Sequence, residues 1–185
     1  MDIVQKIRDF VEEECKKSTS KYGYEPFEFH FVPVAKYAEE LANELKADKE
    51  VVLLAAWLHD IGSIVDGRGE HHIVGAKIAE AKLKEFGYPP VKIEFVKKCI
   101  LNHRGSRQDS RESLEEKIVA EADAISSFDS IAGLFKAALI YEEKTQEEAR
   151  ESVRQKLANK WNQLQFERSK LIVRPKYEAA RLLLK

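Results

Sequence analysis

The sequence has little of several features that mark particular classes of protein. Its 185 residues include only two cysteines, Cys15 and Cys99, which lie far apart and match no CxxC ligand spacing. Free, reduced thiols in a cytoplasmic protein are therefore expected. The longest apolar run, VVLLAAWL at 51–58, has eight residues, whereas a membrane-spanning helix needs about 20. The sequence thus predicts no membrane span.

An excess of charge of one sign is also lacking. The net charge is −1 and the pI is about 6.5, so no strong basic field would hold nucleic acid non-specifically. The N-terminal segment MDIVQKIRDFVEEE has no apolar h-region, and a signal peptide is not expected. The motifs GxxxxGK, GxGxxG, GxSxG and HExxH do not occur, which removes the commonest phosphate-loop, dinucleotide, serine-hydrolase and zinc-protease signatures.

Almost all of the chain has the apolar periodicity of helices. Asp48 is a plausible N-cap for the helix that carries the apolar run, and three glycines after this run, Gly62, Gly67 and Gly69, indicate a loop. Ser113 with Glu116 and Thr145 with Glu148 have the pattern of capping boxes. Further helices are expected at about 3–15, 28–46, 73–83, 91–101 and after Arg174–Pro175. With no convincing strand pattern, we predict a single all-α domain over residues 1–185.

His59 and Asp60 directly follow the apolar run. A carboxylate at the edge of a buried helix is costly unless it is compensated. A salt bridge to Lys or Arg would satisfy the aspartate but would leave the histidine without a role. A metal cation would use both groups, since imidazole and carboxylate together suit Zn, Mn, Fe, Ni or Co.

The other histidines strengthen this interpretation. The chain has five, and each lies at or near the end of a predicted helix, whereas the charged terminal helices at 1–25 and 140–185 contain none. Any one of them could be an ordinary core or surface histidine, but the distribution of the set favours a shared site. The five are His30, His59, His71, His72 and His103.

The order of these residues resembles the HD phosphohydrolase superfamily, in which a histidine, a His-Asp pair and a distal aspartate bind metal, with two further histidines in the two-metal branches. The similarity spans about residues 28–129 and leaves 130–185 as a helical C-terminal extension. It implies an HD-type helical bundle that holds one or two divalent ions (Mn, Co, Ni, Zn, Mg or Fe). The implied ligands are His30, His59, Asp60, His71, His103 and Asp123.

Two of these assignments involve a choice between neighbours. The family places its histidine four residues before a glycine and a small residue, which here indicates His71, with His72 as a supporting or substrate-facing group. Adjacent helical residues point about 100° apart, so both cannot easily bind one ion. The last ligand of the family follows a small residue near the start of a hydrophobic helix, which favours Asp123 over Glu121 and Asp129.

The resemblance implies hydrolysis of a small phosphorylated substrate, most simply a nucleotide. Asp60 would bridge two ions, with His30, His59 and Asp123 on one and His71 and His103 on the other, and a metal-bound water would attack phosphorus. Ser63 stands where related phosphodiesterases carry a lysine, and the GYP signature is absent after His103, so cyclic di-GMP cleavage is not expected. Candidate groups for holding the phosphate are His72, Lys77, Arg104, Arg68 and Arg107.

Two alternatives stay open at this point. Some HD-fold relatives with the same ligands hold a di-iron centre and oxidise their substrates with O₂, and His/Asp ligands accept iron readily. A non-catalytic sensor that binds a nucleotide in the same pocket is the other possibility, although such a sensor has no need of a complete ligand set.

Overall fold

The computed structural model describes residues 2–185, which contain ten α-helices and no strand. The predicted all-α class is thereby confirmed. Short π-helical segments lie at Phe27–Phe31 and Ala137–Tyr141, and a 3-10 segment lies at Gly105–Ser110. The α-helices are α1 Ile3–Lys16, α2 Val32–Leu45, α3 Lys49–Leu58, α4 Ile61–Asp66, α5 His71–Glu85, α6 Pro90–Asn102, α7 Leu114–Ser126, α8 Ile131–Lys136, α9 Gln146–Asn162 and α10 Glu167–Leu183.

The chain divides into two compact units, one ending at Asp123 and the other comprising residues 124–185. The single-domain organisation stays a prediction. In the first unit α3 is central, because it contacts α1, α2, α5 and α6. This position explains why VVLLAAWL is apolar on every side of the helix. Among residues 2–185, no individual helix has both the length and the apolar composition to cross a bilayer, and only the bent pair 114–126 and 131–141 meets that test when both helices are counted together.

The predicted helix caps occur in the structure. The Asp48 side chain accepts a hydrogen bond from the Val51 amide at 3.2 Å and so begins α3. Ser113 and Glu116 exchange hydrogen bonds in both directions at the start of α7, and Thr145 and Glu148 do so at the start of α9. These side chains satisfy amide groups that have no partner in the first turn of a helix.

A π-helical turn directly precedes α2 and contains His30. The Val32 amide bonds to the carbonyl of Phe27, five residues earlier. Pro33 follows and has no amide hydrogen, so the regular ladder is interrupted where the π turn ends. The helix predicted at 28–46 therefore consists of a π-helical segment, which carries His30, and the α-helix α2.

Gly62 lies inside α4, so the predicted loop begins only at Gly67. The backbone of α5 passes very close to this glycine. A Cβ atom on Gly62 would lie 2.0 Å from the carbonyl oxygen of His71 and 2.8 Å from the amide nitrogen of Gly75. Glycine at position 62 thus lets the first turn of α5 lie directly against α4.

The second unit departs from one prediction. Pro175 does not start a short helix but lies inside α10, which buries Ser169, Val173 and Ala180. The proline leaves the carbonyl four residues earlier, that of Leu171, without its helical donor. Leu171 is 60% exposed, so water can hydrate that carbonyl and the helix continues.

Both cysteines are free, as the sequence predicts, and both are buried. Burial raises the pKa of the Cys15 thiol to about 12 and also raises the pKa of Cys99. Neither side chain therefore carries the thiolate that redox or nucleophilic chemistry requires at neutral pH.

The close approach at Gly62 predicts a large effect of a single methyl group. Gly62→Ala should lower the free energy of unfolding by about 2 kcal/mol or more, because the clash is with backbone and cannot be relieved by a side-chain rotation. Urea unfolding measures this change. Gly69→Ala is the matched control, since a Cβ there meets open space, and it should change stability by no more than about 0.5 kcal/mol. Equal stability of the two variants would contradict the close approach.

Candidate metal centre

His59 and Asp60 lie at the junction of α3 and α4. His59 ends α3 and is fully buried, and its Nδ1 atom donates a hydrogen bond to the Ala56 carbonyl at 2.8 Å. Asp60 is the residue before α4. Because α3 is central to the first unit, this junction is held by packing on several sides.

Three histidines of the cluster share one local arrangement. In each, the ring Nδ1 faces the main-chain carbonyl three residues earlier, and a carbonyl can only accept, so Nδ1 carries the proton of the neutral ring. The remaining nitrogen, Nε2, then has a lone pair that is free to bind a cation. The pairs are His59 with Ala56 (2.8 Å), His71 with Arg68 (2.9 Å) and His103 with Ile100 (2.6 Å).

Four imidazoles converge on the Asp60 carboxylate. Its Oδ1 atom lies 3.2 Å from His71 Nε2 and 3.4 Å from His103 Nε2. Its Oδ2 atom lies 3.4 Å from His30 Nε2 and 3.8 Å from His59 Nε2. Asp60 thus belongs to two ligand triplets, one with His30 and His59 and one with His71 and His103, and the ligand atoms within each lie within 4.8 Å of one another.

This arrangement fits a divalent cation. Asp60 Oδ1 is buried and accepts no hydrogen bond, although two imidazole nitrogens lie within 3.4 Å of it. Those nitrogens cannot donate in the neutral rings, because the protons lie on Nδ1. A buried carboxylate oxygen surrounded by lone pairs is unfavourable until a cation lies between them, and the donor set of imidazole and carboxylate is one that transition metals accept.

The protonation states agree with the requirements of metal binding. Burial lowers the pKa of His59 to about 4, against the opposing effect of the Asp60 charge, so the ring is neutral at pH 7. Burial alone would raise the pKa of Asp60, but positive charge on His59 and hydrogen bonds from His103 and His30, when these rings carry a proton towards it, hold the pKa well below its usual range. Neutral imidazoles and an ionised carboxylate are the forms that bind metal ions.

Asp123 lies beside this cluster rather than within either triplet. It is a buried residue of α7, and its Oδ1 atom lies 3.9 Å from His30 Nε2. Of the two rejected carboxylates, Glu121 is also buried and Asp129 is exposed in the second unit. The assignment of Asp123 as a ligand stays a prediction that its position supports.

The candidate phosphate-binding residues divide into two groups. His72 is buried beside His71, and its Nδ1 atom lies 3.4 Å from an Arg104 guanidinium nitrogen. Arg104 in turn directly follows His103. Lys77 lies on the exposed face of α5, about 140° around the helix from His72, so the structure does not bring it to the cluster. The side chains of Arg68, in the loop before α5, and of Arg107, in the 3-10 segment, are exposed.

Arg111 is a further buried residue of this region that its sequence context does not predict. Its guanidinium donates to three main-chain carbonyls at the end of α6, next to His103. It stands in the polar segment RGSRQDSRES, where apolar periodicity carries no information. Nothing in the sequence distinguishes it from the exposed arginine at position 107.

The pKa of His59 predicts that the metal-free protein loses stability in acid. Above pH 6.5 the imidazole is neutral in the folded and unfolded states. As the pH falls from 6.5 towards 4, the unfolded chain takes up the proton first, and the folded state is disfavoured. Between pH 7 and pH 5 the free energy of unfolding should fall by about 2 kcal/mol from this group. Urea unfolding in EDTA measures the slope, and His59→Asn should reduce it by that amount. If the free energy of unfolding of His59→Asn falls as steeply between pH 7 and pH 5 as that of the parent chain, burial of His59 does not cause the loss of stability.

The chain is similar to known proteins in sequence and in fold. Ribonuclease Y of Mycoplasma capricolum subsp. capricolum is 37% identical over 100 residues, which are 53% of this chain but only 18% of ribonuclease Y. An HD-superfamily hydrolase from Bacillus thuringiensis has a similar fold, with 16% identity, a TM-score of 0.73, and coverage of 98% of this chain and 92% of that one. Bacillus subtilis YpgQ, crystallised in complex with ADP, has 19% identity, a TM-score of 0.71, and coverage of 97% and 95%.

The family comparison covers the whole histidine cluster. The HD domain family matches residues 28–127, which include all five histidines as well as Asp60 and Asp123. This range agrees with the 28–129 expected from the motifs, and it confirms the predicted HD-type fold. The chain therefore belongs to the HD domain family.

Proposed function

We propose that this protein is a metal-dependent phosphohydrolase that acts on a nucleotide. The observation that carries the proposal is the Asp60 carboxylate, each oxygen of which faces two imidazole nitrogens. Bound divalent ions would supply an activated water and neutralise charge that develops on the phosphoryl group. The two triplets offer places for two ions, with Asp60 common to both.

The residues on each side of Asp60 have distinct roles in this proposal. His30 and His59 offer their Nε2 atoms to one ion, and Asp123 is near enough to join them after a small movement. His71 and His103 offer theirs to the other. The hydrogen bonds from Nδ1 to main-chain carbonyls hold the His59, His71 and His103 rings in place, so these ligands need little reorganisation on binding.

His72 and Arg104 are the best-placed groups to hold the substrate phosphate. Burial and the Arg104 charge lower the pKa of His72, so the ring is neutral at pH 7. The Nδ1 atom faces the Arg104 guanidinium, which can only donate, and the ring proton therefore lies on Nε2. His72 Nε2 and the remaining guanidinium donors can then bind phosphate oxygens, while Lys77 lies too far around α5 to join them.

The comparisons support two kinds of substrate. YpgQ binds ADP in its crystal structure, which favours a nucleotide as the substrate of this chain. The similarity to ribonuclease Y favours, as a second candidate, the phosphodiester bonds of RNA. This chain spans less than a fifth of ribonuclease Y, and its net charge of −1 offers no general attraction for RNA. We therefore place the nucleotide first.

A hydrolysis screen tests the proposed function. The protein, supplied in turn with Mn²⁺, Co²⁺, Ni²⁺, Mg²⁺, Zn²⁺ or Fe²⁺, should release phosphate from at least one nucleoside mono-, di- or triphosphate. Asp60→Asn should abolish turnover and most metal binding, because it removes a charge on which both triplets depend. Asp66→Asn, on the exposed end of α4, is the matched control and should keep both properties.

The other outcomes of this screen identify the rival functions. Cleavage of an RNA oligonucleotide alone would favour the phosphodiesterase. A coloured iron protein that consumes O₂ would indicate the oxygenase, and nucleotide binding without turnover under any metal would indicate the sensor.

The neighbours His71 and His72 should differ in their effects. His71→Ala should lower metal occupancy and abolish turnover, because His71 Nε2 lies 3.2 Å from Asp60 Oδ1. His72→Ala should keep the metal and lose only part of the turnover, since its ring faces Arg104. Elemental analysis and turnover on both variants measure these effects. Loss of metal from His72→Ala with full occupancy in His71→Ala would show that the ligand is the other histidine.

A further inference from the structure

The loop that follows α6 is closed at its base by one side chain. This loop, residues 103–111, begins with the ligand His103 and ends with Arg111. The Arg111 Nε atom donates to the Asn102 carbonyl at 2.9 Å, and one terminal nitrogen donates to the carbonyls of His103 at 3.0 Å and Arg104 at 2.9 Å. The two ends of the loop are therefore joined by three hydrogen bonds from one guanidinium.

A second contact fixes the same end of α6 to the start of α7. The Asn102 side-chain amide donates to the Glu116 carboxylate at 2.7 Å and to the Ser110 carbonyl at 3.3 Å. Glu116 is buried and also accepts from the Ser113 amide. We call Arg111, Asn102 and Glu116 the α6 clamp.

The position of Arg111 suits the physical needs of this helix end. The last carbonyls of a helix have no internal donor, and they form the negative end of the helix dipole. Arg111 supplies both the donors and the positive charge. It is only 6% exposed. A guanidinium has only hydrogen-bond donors, so it suits a site that consists of carbonyl oxygens. Burial lowers the pKa of Arg111, and the nearby carboxylates of Asp123, Glu121 and Glu116 oppose this effect in part.

Two functional side chains depend on this backbone. The Nδ1 bond to the Ile100 carbonyl orients the His103 ring relative to α6, but it does not fix the main chain of His103 itself. Arg111 holds the carbonyls of His103 and Arg104, the residue that reaches His72. One buried cation thus restrains the backbone of a ligand and of a candidate phosphate-binding arginine.

We propose that Arg111 is a positioning residue, which holds the end of α6 so that His103 Nε2 faces Asp60 and Arg104 faces His72. The inference rests on the proposed function only in that the triplet Asp60, His71 and His103 binds a metal ion. Arg111 touches neither the ion nor the substrate. Its effect passes through the main chain of residues 102–104.

Metal titration of the whole metal-free chain tests this proposal. Co²⁺ is added while its visible absorption and the heat of binding report each equivalent. Arg111→Lys keeps the charge but lacks the planar fork that reaches three carbonyls, and Arg111→Met removes the donors altogether. Loss of a group that supports a metal ligand usually weakens metal binding by about 10- to 100-fold. The Kd of the equivalent on the His71 and His103 side should therefore rise by that factor, and more in Arg111→Met than in Arg111→Lys. The other equivalent, on the His30 and His59 side, should change by less than about twofold.

Two reference variants and a metal-free measurement separate positioning from general destabilisation. His103→Ala should lose the same equivalent outright. Tyr88→Phe removes a 2.8 Å hydrogen bond to Glu50 near the opposite end of α6, so it lowers stability without touching the α6 clamp, and it should bind both equivalents normally. In the metal-free chain, amide hydrogen exchange of residues 103–111 should be faster in both Arg111 variants and unchanged in Tyr88→Phe.

The possible results have distinct meanings. If Arg111→Lys and Arg111→Met bind both equivalents as tightly as the parent chain while His103→Ala loses one, the positioning role is wrong and the metal centre stands. Equal weakening of both equivalents would also overturn the inference, because it indicates a general structural effect. If His103→Ala itself binds both equivalents, the second triplet is not a metal site and the proposed function fails with it. Should Arg111→Met not fold, Arg111→Lys decides.

Discussion

The first unit depends on an arrangement that is unfavourable by itself: the buried Oδ1 atom of the Asp60 carboxylate faces the lone pairs of two imidazoles. Packing imposes it, because α3 carries His59 and Asp60 to the centre of the unit and α5 and α6 bring His71 and His103 to the same oxygen atom. A protein that needed only stability would replace such groups with apolar ones. Their presence is best explained by a cation that reverses the sign of the interaction.

Local hydrogen bonds and close backbone packing hold the side chains of this unfavourable arrangement in place. Each of three rings is oriented by a carbonyl three residues earlier, so the ligand nitrogen is selected by the helix or turn that carries it. Because residue 62 is a glycine, no Cβ atom at this position separates α4 from the start of α5. The π-helical turn before α2 carries His30, in keeping with the frequent occurrence of such turns at functional sites. Together these features join four helix ends around one aspartate.

The charges around Asp60 differ from those around His72. Around Asp60 the His59 ring is neutral at pH 7 and the carboxylate is ionised, so the net field attracts cations. At His72 the nearest charge is the Arg104 guanidinium, which attracts anions. The two environments meet at consecutive residues, 71–72 on α5 and 103–104 at the end of α6. A phosphate bound beside Arg104 would therefore lie next to the second ligand triplet, and the α6 clamp holds the backbone that links them.

The sequence by itself determined the all-α class, three helix caps and the group of histidines, because helical periodicity, capping boxes and a His-Asp pair after an apolar run are local signals. The choice of His71 over His72 as a ligand came from the resemblance to the family and stays a prediction, which the 3.2 Å distance from His71 Nε2 to Asp60 Oδ1 supports. Tertiary structure alone decided the rest. The helix at Gly62 depends on the close approach of the α5 backbone, and the continuation of α10 through Pro175 depends on the exposure of Leu171 to water. The folded chain also brings Arg104, but not Lys77, to the histidine cluster. It buries Arg111 and leaves Arg107 exposed. The sequence around a charged residue does not show which carbonyls or rings the fold will place beside it.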